Sequence, residues 1–387
     1  MKIITSTKDL AEFCDAAKNF DFVTVDTEFL RETTYWPILC LVQMATPEEA
    51  VIVDPMVEGF DLGPMFELFQ NKSVVKVFHA AKQDIEIFVK LSGDAPQPVF
   101  DTQVAAAVCG FGDSISYDNL VRMITGTQLD KSSRFTNWSH RPLTDKQLTY
   151  ALGDVTHLRD CYLHIVDLLE EKDRLPWIED ELAALMDRNN YLVQPEDAWK
   201  RLKMKVNRPR DLAMMQELAA WRELKAQQQD VPRGRVVKDD AIYELAQQQP
   251  NSTKAFDRLR SFSKGFGRSS SADEIIKIVA QVQSIDKDDL PKVPRKPNGP
   301  SPKGAIGDLL RVLLKAVSET EGVAPRIIAS SDDIDQIVLN DNADVQALSG
   351  WRREVFGNKA LAIKSGKLAL GATPDGIIPI AVDLELE

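Results

Sequence analysis
The chain has little cysteine. Its four cysteines, Cys14, Cys40, Cys109 and Cys161, lie far apart and include no CxxC pair. That spacing speaks against a structural zinc site and a disulfide framework, and it suits a reducing cytoplasm. Long apolar runs are also missing. None approaches the ~20 residues that a membrane helix needs. The opening stretch MKIITSTKDLAEF has no apolar core region and no small-residue cleavage site, so no signal peptide is expected. Net positive charge is lacking too. The formal charge is −12, which by itself argues against a polyanionic partner.

What is present changes that last inference. The 387 residues are 44% apolar and 27% charged, enough for two or three soluble domains. Their charge is unevenly spread. Residues 200–270 hold 16 Lys and Arg against 8 Asp and Glu, whereas residues 1–199 hold 17 against 33. An acidic first half followed by a basic block is an informative asymmetry.

Hydrophobic periodicity divides the chain. Residues 20–29, 37–46, 50–54 and 73–79 read as strands, and PVFDT as the end of another. Helical spacing is expected over 62–70, 80–91, 102–109, 117–124 and 144–171. This succession predicts one mixed α/β sheet flanked by helices over 1–172. A helical connector is expected over 173–206 and an all-α unit over 207–287. The stretch 288–304, rich in Pro, Gly and charge, reads as a linker. Residues 305–387 read as a last, mostly helical unit. LAAWRELKAQQQDVPRGRVVKDDAIYELA (218–246) and LLKAVSETEGVAPRIIASSDDIDQIV (313–338) look like a diverged repeat.

One short strand carries the chemistry. FVTVDTEF places Asp26 and Glu28 two residues apart in an apolar run, so both carboxylates share a face. Such a pair is unfavourable alone and favourable around a hard divalent cation. FHAAKQDIEIF adds Asp84 in the first turns of a helix. YALGDV adds Tyr150 and Asp154, which share a face at i and i+4. Each element alone has a plain structural reading. Together, four carboxylates and a tyrosine suit a two-metal phosphoryl site.

VDTEF, HAAKQDIEIF and YALGDV resemble the three motifs of the DEDD exonucleases, in the tyrosine-containing branch. The histidine branch carries His five residues before the last Asp, where this chain has Thr149. Within the superfamily the chain is most similar to the ribonuclease D family, and residues 218–246 resemble the helical HRDC module. The resemblance implies a ribonuclease-H-like fold followed by all-α HRDC-type units, the second degenerate. It implies 3′→5′ hydrolysis that releases nucleoside 5′-monophosphates, with two Mg²⁺ or Mn²⁺ ions. The implied substrates are tRNA precursors and other small structured RNAs. Asp26, Glu28, Asp84 and Asp154 would hold the ions, and Tyr150 would orient the attacking water.

Further residues invite weaker readings. Phe29 either stacks on terminal bases or packs in the core. Lys131, Arg134 and Arg141 either bind phosphate or belong to a solvated loop. Arg222, Lys225, Arg233, Arg235 and Lys238 cluster around the HRDC-like turn and are expected to hold RNA backbone. His79 and Asp101 read as structural groups, Asp101 as a helix N-cap. A cytoplasmic monomer is expected, with no membrane partner. Two other functions stay open: a DNA exonuclease, and a nucleic-acid-binding scaffold with a silent site.

Overall fold
The computed structural model describes residues 2–204, 206–293, 302–374 and 376–382. A six-stranded sheet organises the first half, in the order β1-β4-β3-β2-β5-β6. Its strands are β1 (Lys2–Ile4), β2 (Phe22–Leu30), β3 (Ile38–Ala45), β4 (Ala50–Val53), β5 (Val75–Phe78) and β6 (Val99–Asp101). β2 is antiparallel to β3 and parallel to β5, so the sheet is mixed. Consecutive β2, β3 and β4 form a meander, and helical crossovers supply the parallel partners.

The helices are α1 (Thr7–Ala17), α2 (Gly63–Gln70), α3 (Lys82–Ser92), α4 (Thr102–Cys109), α5 (Tyr117–Thr125) and α6 (Asp145–Glu171). One face of the sheet packs Val23, Val25 and Val42 against Leu10, Phe13, Leu68 and Phe88 of α1, α2 and α3. The other face receives α6, which opens with a Thr144 and Gln147 capping box. β1 and α1 were not anticipated. β1 has only three residues and pairs in parallel with the distant β4, so no local pattern marks it.

Beyond residue 172 the described structure is helical up to a terminal hairpin. After α7 (Glu179–Met186) come α8 (Pro209–Gln229), α9 (Arg233–Val236), α10 (Asp239–Gln248) and α11 (Ser270–Ser284). They enclose a core of Met214, Leu218, Ile242, Leu245, Phe256 and Val279. Next come α12 (Ala305–Glu321), α13 (Pro325–Ile328) and α14 (Ser331–Leu339), the same succession as α8, α9 and α10. The proposed linker, 288–304, lies in part outside the described residues. α15 (Gly350–Arg352) runs through a π turn into α16 (Asn358–Lys364). A hairpin of β7 (Leu368–Thr373) and β8 (Gly376–Ala381) then departs from the mostly helical expectation.

The last helices do not stand apart. Leu310, Leu313, Ile328 and Phe356 share one core with Leu120, Val121, Ile165 and Leu169 of α5 and α6. α8 also reaches the sheet. Asp230, just past its end, accepts hydrogen bonds from the backbone N–H of Tyr35 and Trp36, at 3.1 and 3.0 Å. Those two residues belong to the loop that links β2 to β3.

Candidate active site
β2 lies between β3 and β5, which fixes the facing of its side chains. The hydroxyl of Thr24 donates to the Val155 carbonyl of α6, 2.8 Å away. Even-numbered β2 positions therefore look at α6, as strand alternation requires. Asp26 and Glu28 follow on that face, and Asp154 of α6 meets them. One carboxylate oxygen from each of the three lies within 4.8 Å of the others. Tyr150 stands one helical turn before Asp154, beside Trp138, with ring centroids 6.0 Å apart.

Asp84 arrives by another route. It sits buried in the first turn of α3, just after β5, and accepts a hydrogen bond from the Thr27 hydroxyl. The turn into α3 is sharp, and Ala80 has a φ of 61° there. Asp101 of β6 stabilises that turn by accepting from the N–H groups of Ala80 and Ala81, at 3.0 and 2.9 Å. Its carboxylate also caps α4 through Gln103 N. Asp101 thus serves as the N-cap expected of it, and helps to aim Asp84 as well. His79 is held by Thr102 and the Ile115 carbonyl, both at 3.0 Å, as a structural group.

The four carboxylates crowd one another electrostatically. Burial, then the charges of Asp26, Asp154 and Asp84, push Glu28 up to about 10. Burial raises Asp154 to about 7, against the Tyr150 hydroxyl and the Arg134 guanidinium. Asp26 is raised well above its ordinary value by burial and by Asp154, and Asp84 by burial and by Asp26. Ionised together, they need added positive charge. A set of hard oxygen donors with mutual repulsion fits a hard divalent cation.

The cleft above them has a volume of about 340 Å³. Asp26, Tyr150 and Asp154 line it, with His79, Tyr117 and Arg134. Gln43 escaped the sequence reading. It stands on β3 opposite Asp26 of β2, is fully buried, and its carboxamide has no hydrogen-bond partner among the described residues. A glutamine inside the apolar run LCLVQMA was the available signal.

Comparison with known proteins gives the family. Residues 1–170 match the family described as 3′-5′ exonuclease, and residues 211–279 match the HRDC domain. The chain is 49% identical over 380 residues to a ribonuclease D of Nitrobacter hamburgensis, covering 98% of this chain and 99% of that one. The chain belongs to the ribonuclease D family. A Bartonella henselae ribonuclease D is 48% identical over 95% of this chain and 91% of its own length. The crystal structure of Escherichia coli RNase D, described as an exoribonuclease involved in structured RNA processing, superposes with a TM-score of 0.83. It is 30% identical and covers 94% of this chain and 98% of its own. The protein is thus a 3′→5′ exoribonuclease of ribonuclease-H-like fold with an HRDC domain.

Within this ribonuclease D family chain, several expected RNA contacts are engaged elsewhere. Arg222 is buried and bonds the Val237 carbonyl and Asp239, at 3.1 and 2.6 Å. Lys225 pairs with Glu274 at 2.7 Å. Arg233 pairs with the buried Glu223 and donates to the Tyr35 hydroxyl at 2.9 Å. Arg222 and Arg233 thus make structural contacts in the fold, and a phosphate would have to compete with these partners. Arg141 is likewise tied to Asp54, at 2.6 and 2.7 Å. Phe29 is half-buried and packs on the core of the α1 face, just past a bulge in the pairing with β3. Lys131 pairs with Asp118 at 2.5 Å but stays half-exposed at the cleft. Arg235 and Lys238 are exposed, with no ion pair among the described residues.

This difference can be measured. Against its burial, hydrogen bonds from Arg233 and Tyr35 keep the Glu223 carboxyl below its ordinary value. Arg233→Met would strand that charge, and is expected to cost about 3 kcal/mol in urea unfolding. Arg235→Ala with Lys238→Ala should leave stability within about 0.5 kcal/mol. It should instead weaken RNA binding and flatten its salt dependence. Equal stability of Arg233→Met and the parent would return Arg233 to the list of free cations.

Proposed function
We propose that Asp26, Glu28, Asp84 and Asp154 hold two divalent cations, Mg²⁺ or Mn²⁺, and that the enzyme trims tRNA precursors and other small structured RNAs. The observation that carries this reading is the meeting of Asp26, Glu28 and Asp154 oxygens within 4.8 Å of one another. When bound, the ions supply a water activated near neutral pH and charge stabilisation for the departing 3′ oxygen. The chain's own groups position the reactants. Burial holds the Tyr150 phenol above its ordinary pKa, so it stays protonated. It acts by orienting water through its hydroxyl rather than as a strong base. Arg134, on the cleft wall, offers positive charge to a phosphate. The family assignment favours RNA over DNA, a choice that rests on contacts to the 2′-OH. A cytoplasmic monomer belongs to the same proposal.

Matched RNA and DNA strands with a labelled 3′-terminal nucleotide test it. Labelled 5′-mononucleotide is expected from RNA in Mg²⁺ or Mn²⁺, and none after chelation. Internal cleavage, or 3′-monophosphates, would overturn the mechanism. Tyr150→Phe should preserve metal and RNA binding, yet slow single-turnover hydrolysis about 10²- to 10⁴-fold. An unchanged rate would reduce Tyr150 to a packing residue beside Trp138.

A further inference from the structure
Phe135 is 90% exposed, the most exposed large apolar side chain among the described residues. It lies in the loop between α5 and α6, and that loop is firmly anchored. Trp138 is buried. Thr136 donates to the Ser133 carbonyl at 2.8 Å and accepts from Gln147 of α6 at 3.1 Å. Arg141 ties the far end to Asp54. The ring is thus held out into water by fixed neighbours on both sides, at the expense of its burial.

Its surroundings say what would cover it. Arg134, the preceding residue, lines the catalytic cleft together with Asp26, Tyr150 and Asp154. The Arg134 guanidinium carbon lies 5.3 Å from the Phe135 ring centroid. An aromatic surface therefore begins where the carboxylate cleft ends, joined to it by a cation. An exonuclease that works from a 3′ end receives its substrate as a single strand. Unpaired bases present flat π faces, and phosphates follow them at short range. Aromatic rings beside basic groups are the usual means of holding such a strand without regard to sequence.

We propose that Phe135 is a stacking platform for one unpaired base of the RNA strand entering the cleft, with Arg134 receiving the adjoining phosphate. The proposal rests on the exoribonuclease activity and adds a binding position to it. Phe135 is a positioning residue here, since it touches no reacting atom.

The test uses the full-length protein in Mg²⁺ and an unstructured oligoribonucleotide, reading release of the first nucleotide. Phe135→Ala is expected to raise KM about 5- to 150-fold, the range for losing one base–aromatic stack. Phe135→Trp should restore it. The same strand with one base removed, at successive positions from the 3′ end, supplies the second arm. At one position the abasic strand should already have lost the contact, and Phe135→Ala should add nothing there. An unchanged KM, or a penalty equal at every abasic position, overturns the stacking role. So does a Phe135→Ala protein that keeps its KM but loses self-association in sedimentation, which would make the ring an interface between copies. If the parent releases no 5′-mononucleotide at all, the underlying activity fails first, and that result is distinct from an active parent with an indifferent Phe135.

Discussion
Asp26→Asn is expected to abolish hydrolysis and, in the same protein, to raise the melting temperature of the metal-free state. The first effect follows from the donor set. Asp26 faces Glu28 and Asp154, and all three can reach one point between them. Removing its charge should misplace a cation that the chemistry needs. The rate should fall by at least about 10³-fold, more than the loss of a single oxyanion-hole donor costs. The second effect follows from crowding. In the fold, Asp154 holds its proton up to about pH 7 and Glu28 up to about pH 10. In the unfolded chain both release it near pH 4. The folded state therefore binds more protons between those limits, and the metal-free protein loses stability as pH rises through them. An Asn at position 26 removes one charge from the cluster and lowers the cost of ionising the rest. The gain should be absent near pH 4 and grow toward pH 8. Thermal melts in a chelator at several pH values, beside hydrolysis at saturating Mg²⁺, measure both effects. A variant with near-parental turnover would refute the ligand role. An unchanged melt at pH 8 would show that the carboxylates do not strain the metal-free fold.

Why that set of residues was legible in the sequence is a matter of range. Two of the three motifs lie within one element, where local periodicity fixes their facing, whereas the Asp84 motif runs from β5 through a turn into α3. Alternation in β2 pairs Asp26 with Glu28, and one helical turn aligns Tyr150 with Asp154. The helix starting at Thr102 and the long α6 follow from spacing and capping residues in the same way. What could not be read depends on partners far away in the chain. Glu223 and Arg233 are ten residues apart, but Tyr35, which completes their cluster, lies in the loop after β2. A run of basic residues looks alike whether it faces solvent or carboxylates from another element. The bulge between Glu28 and Phe29 is equally invisible, because it depends on the register of β3. Gln43 shows the converse: the polar residue stood out in an apolar strand, but nothing local said that it would lie across from Asp26.

A chain ending at Val293 is expected to lose much of its stability, although the sheet and every proposed catalytic residue remain in it. The linker-like stretch after residue 288 sets the last unit apart in the sequence. The packing argues otherwise. Leu310, Leu313, Ile328, Ile337 and Phe356 are fully buried, in one core with residues of α4, α5 and α6. Trp351 stacks on Trp177 with centroids 4.1 Å apart and planes 3° from parallel, and its indole N–H donates to the Trp177 carbonyl. Arg352 is buried against Glu181, and Arg174 bonds the carbonyls of both Val108 and Glu321, at 2.8 and 2.7 Å. The Ala324 N–H reaches the Ala107 carbonyl at 2.8 Å. Removing residues 294–387 would uncover that face of α4 to α6, leave Glu181 without its Arg352 partner, strip the Trp351 stack from Trp177, and free Arg174 from one of its two carbonyls. Burying a large apolar side chain contributes about 1.5–3 kcal/mol, and a whole domain is stable by only about 5–15 kcal/mol. A few such side chains returned to water thus consume a large share of the total. The fragment should melt more than about 10 °C below the full chain, at roughly 2–4 °C per kcal/mol, and should bind a dye that reports exposed apolar surface. Trp351→Ala in the full chain should shift the melt in the same direction by less, since it removes one stack and leaves the shared core closed. A fragment that melts with the full chain would mean that α4 to α6 form a self-sufficient core, and that residues 305–387 are held by it without supporting it in return.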